Sequence, residues 1–328
     1  MNSKIQTALG FLGPIHPLMH DEQVTEIMVN GPDDVWVKRF GARAEKTDIR
    51  FSAEQIRAAI TVLASASQRQ VGDETSSRDK AKIVSAGLPG FRVEALMPPV
   101  AVRGPAFSLR KLASKLVTLA DYVAQGAITV EVAALLQDLV QSHRNLFIAG
   151  ATGSGKTTLT NALLQVIAPS ERLVVIETIH ELLVSSPNHL LLEADEEQGY
   201  TINRLLLSAL RLLPDRIIIG EVRGQEAYGL LNAANTGHPG SIATLHANSA
   251  PETLQRLEDM ALMGEHKLQI EAVKWRIANT KPVIVYIEQV HREGKWRPTL
   301  TQIVEVTGFR EQQYQFHTTY QFNKGAQP

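Results

Sequence analysis

The chain has 328 residues, 44% hydrophobic and 20% charged, enough apolar material for real cores and a length that suits two domains better than one. Lys and Arg number 33 against 34 Asp and Glu, so no global electrostatic footprint calls for nucleic acid, although a local basic patch stays open. The lack of any cysteine excludes disulfides and thiolate zinc sites and suits a reducing compartment.

The opening MNSKIQTALGFLGPIHPLMHD lacks the apolar core and cleavage site of a signal peptide. No apolar run approaches the ~20 residues of a membrane span, so a soluble chain with at most peripheral membrane contact is expected. SKIQTALGFL at 3–12 reads as a short, weakly basic helix, better suited to core packing or disorder than to a lipid surface. VTEIMV, a turn at NGPDD, VWVKRF and a further edge through Ile49–Phe51 read as strands over 24–51. A helix starts at Ser52, which forms a capping-box pattern with Gln55, and Ile56, Ile60 and Leu63 recur at helical spacing. GDETSSRDKAK at 72–82 is a charged loop without period. KIVSA, FRVEALMPP and AFSLRK are three more strands, so residues 1–111 form a small α+β domain with no catalytic motif complete within it.

Residues 112–129 read as a linker, after which helical spacing resumes at Val132, Leu135, Leu136 and Leu139. The grammar then changes. NLFIAG, RLVVIE, DRIIIGE and SIATLHA are short β-rich runs of the buried parallel kind, with helical segments at 156–167, 201–213 and 224–235 between them. Such alternation predicts a doubly wound α/β domain with a largely parallel sheet over 130–310. VIVYIEQV, the turn REGK and RPTLTQIVEV predict a terminal hairpin, and 311–328 read as a frayed polar tail.

GATGSGKTT at 150–158 follows an apolar strand and opens a helix, and Gly150 to Thr157 fits G-x-x-x-x-G-K-[ST] in full. Short Gly-rich turns let consecutive N–H groups converge on phosphate oxygens, and the helix N-terminus adds its positive dipole end. The expected nucleotide-binding residues are Gly150, Thr152, Gly153, Ser154, Gly155, Lys156, Thr157 and Thr158. Lys156 reaches the β and γ phosphates, Thr157 offers its hydroxyl to Mg²⁺, and Gly153 and Gly155 avoid a Cβ that would obstruct the wrap. The cofactors expected are therefore ATP and Mg²⁺.

Such an enzyme needs a carboxylate near Mg²⁺ and a group that orients the attacking water. IETIHE supplies Glu177 and Glu181, and RIIIGE supplies Glu221. The usual second motif ends in Asp directly after its strand; here Gly220 intervenes, and Glu221 is the expected Mg²⁺-side acid. His246 also follows an apolar strand and could sense the γ-phosphate, whereas His238, between Gly237 and Pro239, reads equally as a loop residue. The two histidines do not have the spacing of a single-helix metal pair, and no metal beyond Mg²⁺ is expected. Arg92 and Arg110 lie far along the chain; Arg211, Arg216 and Arg223 cluster around the Glu221 strand, where Arg216 reads as a cap together with Asp215.

Taken in order, GATGSGKTT, IE-x-x-x-E, LRLLPDRIIIGEVRGQEA and NTGHPGSIATLHANS resemble the secretion traffic ATPases of type II secretion, type IV pili and type IV secretion. The resemblance is dense from Asp121 to about Pro251 and looser in EIMVNGPDDVWV and FRVEALMPPVAVRGPAFSLRK; EVRG and the HANS segment look most like the conjugative type IV branch. It implies a RecA-like C-terminal domain and a homohexameric ring with nucleotide held between the two domains of each chain. By the same resemblance Glu177 handles the attacking water, Glu221 is the acid of an atypical second motif, His246 belongs to a histidine box, and Arg92 and Arg110 approach the γ-phosphate. Thr178 stands where that family carries an aspartate, Leu207 and Leu213 stand where basic residues are common, and Ala151 replaces a common proline.

The function implied is an ATP-hydrolysing motor of a type IV secretion or conjugative transfer system. It would be cytoplasmic, peripheral at the inner membrane, with channel proteins and coupling ATPases as partners and no sequence-specific nucleic acid. A pilus or type II secretion motor, and a nucleotide-dependent switch with little hydrolysis suggested by Thr178, are the alternatives. A helicase is disfavoured by the near-neutral charge and the lack of an aromatic-interleaved basic groove.

Overall fold

A computed structural model describes residues 9–66, 82–88, 90–112, 116–196, 198–264, 268–292 and 295–322. It divides into two compact units, Met1–Ser114 and Lys115–Pro328. The expected helix at 3–12 falls mostly, and the charged loop at 72–82 almost entirely, outside the described residues.

In the first unit a 3₁₀ turn, Gly13–Ile15, and α1 (His16–His20) precede β1 (Val24–Val29), β2 (Val35–Arg39), β3 (Glu45–Lys46), α2 (Ala53–Ala66), β4 (Ile83–Leu88), β5 (Phe91–Leu96) and β6 (Ala106–Lys111). The strands form an antiparallel sheet in the order β3-β2-β1-β6-β5-β4. Alternation sends Phe91, Val93 and Ala95 inward from β5 and Phe107 and Leu109 from β6. There they meet Ile56, Ile60 and Leu63 of α2 in one core. The start of α2 is capped both ways: Gln55 N–H donates to Ser52 Oγ at 3.0 Å, and Ser52 N–H donates to Gln55 Oε1 at 2.7 Å. Ile49–Phe51 does not continue the sheet, contrary to expectation. The Phe51 N–H turns in to donate to the Pro32 carbonyl at 2.8 Å, and its ring meets Phe107 edge-on.

The second unit contains α3 (Leu119–Ala124), α4 (Val130–Gln141), β7 (Leu146–Ala149), α5 (Lys156–Leu164), β8 (Leu173–Glu177), β9 (His189–Glu193), α6 (Ile202–Ala209), β10 (Arg216–Ile219), α7 (Glu226–Asn235), β11 (Ile242–Leu245), α8 (Ala250–Leu262), α9 (Ile270–Asn279), β12 (Val283–Arg292), β13 (Lys295–Arg310) and β14 (Gln313–Gln321). Its eight strands run β14-β13-β12-β7-β11-β10-β8-β9, parallel from β12 to β9 and antiparallel at the β12-β13-β14 edge. Both faces are covered. Phe147, Val174, Ile176, Ile217, Ile219 and Leu245 pack with α6 to α9, and Leu146, Ile148, Val175, Ile218 and Ile242 pack with α3 to α5. Strands buried on both sides carry no polar alternation, which is why these runs are uniformly apolar.

Two boundaries differ from the sequence expectation. Residues 112–129 are not a free linker throughout: Thr118 and Asp121 form a capping box, and Leu119, Tyr122 and Ile128 are buried in the core of the second unit. Nor do 311–328 fray from residue 311, since β14 pairs with β13 from Arg310↔Gln313 to Gln302↔Gln321. Its side chains are mostly exposed, so it reads as polar although its backbone is paired.

Candidate active site

The loop at 150–157 leaves the C-terminal end of β7, where Ala149 pairs with Leu245 of β11, the residue before His246. Next along the sheet, Ile219 of β10 pairs with Ile176 of β8, placing Glu177 and Glu221 at the same edge. Ligands in open α/β sheets sit at carboxyl ends of strands, and four expected functional side chains converge there. His238 precedes β11 and lies at the opposite edge.

Gly150 must be glycine because of a close approach: a Cβ there would stand 2.1 Å from the Ile287 carbonyl oxygen and 2.6 Å from Ser154 Oγ. Ser154 Oγ is itself buried with no hydrogen-bond partner among the described residues. Gly153 and Gly155 have φ of 72° and 99°, so the backbone itself requires them, and Gly155 is the N-cap of α5. Thr152 is exposed, while Thr157 and Thr158 sit half-buried in the first turn of that helix.

Lys156 is 8% exposed and donates to the carbonyls of Gly150 and Ala151, both at 2.9 Å. Its Nζ lies 3.3 Å from His246 Nδ1, and His246 Nε2 lies 2.9 Å from Glu221 Oε1. Glu221 Oε2 accepts from Arg223 Nη2 at 2.5 Å, so one string runs Lys156–His246–Glu221–Arg223. Burial opposes ionisation of Glu221, but the Arg223 hydrogen bond and charge, with His246 and Lys156, outweigh it and hold the carboxyl below its ordinary range.

Glu177 is 4% exposed and set differently. Its Oε1 accepts from the N–H groups of Glu181 at 3.0 Å and Leu182 at 3.1 Å. Its Oε2 is buried without a hydrogen bond, with His180 Nδ1 at 3.5 Å; the other nitrogen of His180 lies 3.5 Å from Glu193. Burial pushes the Glu177 carboxyl up, partly offset by the Glu181 N–H and by His180. Two acids at one sheet edge are thus driven in opposite directions, an arrangement typical of functional sites. Gly220 has no room for a side chain: its Cβ would lie 2.8 Å from Glu177 Cγ. This packing supplies a reason for Gly220 between strand and acid.

Arg92 and Arg110 lie in the first unit as direct register partners on β5 and β6, and cross-strand partners share a sheet face. Arg216 does not cap its strand with Asp215. It is fully buried, its Nε and Nη2 donating to Glu171 at 2.6 and 3.0 Å, while Asp215 accepts from the Arg172 N–H. The sequence places Arg223 beside the Glu221 strand, whereas it leaves His180, visible in IETIHE, unattached to Glu177.

The residues present fit the phosphates of a nucleotide: a cradle that a Cβ would fill, a buried hydroxyl inside it without a hydrogen bond among the described residues, and a helix N-terminus. Thr157 and Glu221 are the oxygen donors expected from the sequence to hold Mg²⁺, although both Glu221 oxygens here pair with His246 and Arg223.

Residues 10–285 match the family described as Type II/IV secretion system protein. The conjugal transfer protein TrbB of Rhizobium radiobacter is 36% identical over 317 residues, covering 95% of this chain and 92% of that protein. The type IV secretion system protein VirB11 of Brucella suis biovar 1 is 34% identical over 326 residues, covering 87% of each. Among solved structures, the Legionella pneumophila ATPase DotB matches with a TM-score of 0.61 at 19% identity, over 92% of this chain and 81% of that one, which is a likeness of fold. Family match and relatives alike span nearly the whole sequence, and the chain belongs to the type II/IV secretion system protein family.

Proposed function

We propose that this chain is an ATPase that hydrolyses Mg-ATP at the 150–157 loop and serves as the motor of a type IV secretion or conjugative transfer system. The carrying observation is the string from Lys156 through His246 to Glu221, at the same sheet edge as the buried Glu177 carboxylate. Relatives that act in conjugal transfer and type IV secretion support the biological setting.

The chemistry follows from the side chains. Phosphate oxygens would replace the carbonyls of Gly150 and Ala151 as acceptors for Lys156, while N–H groups of the loop and of the α5 N-terminus cradle the rest. Magnesium, when bound, offsets charge developing on the transferred phosphoryl group. Glu177 orients the attacking water through Oε2, beside His180, while the two backbone N–H groups fix Oε1. His246, between Lys156 and Glu221, links the γ-phosphate side of the loop to the metal-side acid. Arg92 and Arg110 are proposed to add positive charge at the γ-phosphate.

Six copies in a ring are proposed as the working form, acting with channel proteins and coupling ATPases at the cytoplasmic face of the inner membrane. No helix among the described residues is long and apolar enough to cross a membrane. The test records ATPase rate and mass in solution against protein concentration for wild type, Lys156→Ala, Glu221→Gln and Arg92→Ala. Activity that rises with a six-fold species, and is lost in each variant while assembly persists, supports the motor. Tight ATP binding with turnover no faster than Glu221→Gln sinks it in favour of a switch.

A further inference from the structure

The C-terminal hairpin touches the phosphate loop in ways the catalytic roles do not use. β12 pairs with β7 from Val283 to Tyr286, and its register against β13 shifts between Tyr286 and Ile287. Irregularities of this kind re-aim a strand, and this one falls where β7 gives way to the loop. Beyond it the hairpin lies against three loop glycines. The Ile287 carbonyl closes on Gly150, Pro298 Cβ would be 3.1 Å from a Cβ at Gly155, and Gln289 Nε2 donates to the Gly153 carbonyl at 2.8 Å. Farther along β12, Arg292 Nη1 donates to the Gly126 carbonyl at 3.3 Å, between α3 and α4, and its guanidinium lies 4.3 Å from the Phe322 ring centroid.

We propose that the β12–β13 hairpin is a strap that shapes the phosphate loop, with Gln289 a positioning residue for nucleotide binding. In a trans peptide the carbonyl and the following N–H point in opposite directions. Holding the Gly153 carbonyl against the hairpin therefore aims the Ser154 N–H back into the loop, where it meets the Ala151 carbonyl at 3.2 Å. A Gly-rich segment has more backbone freedom to lose than any other, so an external tether that preorders it favours binding. The proposal rests on the reading of this loop as a nucleotide site.

The test compares wild type with Gln289→Met, which keeps length but loses the donor, and Gln289→Lys, which keeps a donor. The readouts are affinity for a fluorescent ADP analogue, KM and kcat for ATP, melting temperature, and amide exchange across 150–157. Losing one neutral hydrogen bond predicts about two- to tenfold weaker nucleotide binding in Gln289→Met. Its KM should move more than kcat, its loop amides should exchange faster, and Gln289→Lys should recover most of the affinity. Gln289→Met binding within twofold of wild type, with loop exchange unchanged, overturns the strap alone. Equal affinity losses in both variants that track a lower melting temperature also overturn it, because Gln289 is then only structural. A wild type that binds no nucleotide overturns the site reading beneath it.

Discussion

Gly220→Ala isolates the placement of Glu177 from its chemistry. The added methyl carbon would lie 2.8 Å from Glu177 Cγ and 3.2 Å from Oε1, inside the 3.4 Å of ordinary contact, so the glutamate or the strand must give, by about 0.6 Å for full relief. Glu177 is only 4% exposed, and Oε1 is tied to two backbone N–H groups, so it has no solvent path by which to swing aside cheaply. A displacement of about 1 Å in a catalytic group costs on the order of 10²-fold in rate. We therefore expect kcat to fall roughly ten- to a hundredfold, with affinity for a fluorescent ADP analogue within about threefold of wild type. Steady-state phosphate release, measured well below both melting temperatures, provides the rate. A folded Gly220→Ala protein with kcat within twofold of wild type would refute the reasoning, because Glu177 would then not need its present position.

Burial raises the Glu177 carboxyl above the ordinary glutamate range, and its ionised form is the one that accepts a proton from the attacking water. Activity should thus be lost as pH falls through a value above the ordinary glutamate range, as read from a kcat–pH profile; an acid limb at or below that range contradicts the role of burial. Glu171→Ala leaves the fully buried Arg216 guanidinium without its carboxylate, which should cost about 3–5 kcal/mol. In a unit of this size that corresponds to a melting-temperature drop of roughly 6–20 °C, and a loss under about 1 kcal/mol in denaturant titration contradicts it. The Glu171 carboxyl is lowered despite burial, chiefly by Arg216, so the pair's contribution should be full at neutral pH and fade as pH falls through the folded-state value. Chelation with EDTA should abolish phosphate release and added Mg²⁺ should restore it; turnover that persists without divalent cation counts against Thr157 and Glu221 as metal ligands.

What could be read from the sequence was what local chemistry dictates. The apolar strand, glycine loop and helix of 146–164 lie within one stretch of chain, and the parallel strands announce themselves because burial on both faces forbids polar positions. β14 escaped because an edge strand with exposed side chains has the composition of a tail, and β9, half-exposed in its turn, escaped likewise. α8 left a usable signal in Ser249 and Glu252 followed by Leu254 and Leu257, with the Glu252 N–H donating to Ser249 Oγ at 3.2 Å. At the site, Lys156 was legible from its phosphate-loop motif, Glu221 and His246 from their places just past apolar strands, and Glu177, the last residue of its strand, chiefly from the family resemblance. Gln289 was not: it reaches Gly153 across 136 residues, and no local pattern encodes that contact. The fit of Gly220 against Glu177 was hidden for the same reason, since it joins two strands that are neighbours only in the folded sheet.

We propose that this chain turns over ATP at Glu177 beside the phosphate loop. The most direct measurement is phosphate release at saturating Mg-ATP for wild type, Glu177→Gln and Lys156→Ala, with nucleotide affinity taken on the same samples. Wild type should turn over steadily, Glu177→Gln should fall by about 10² or more with nucleotide still bound, and Lys156→Ala should lose both binding and turnover. Wild-type turnover by Glu177→Gln would contradict the proposal.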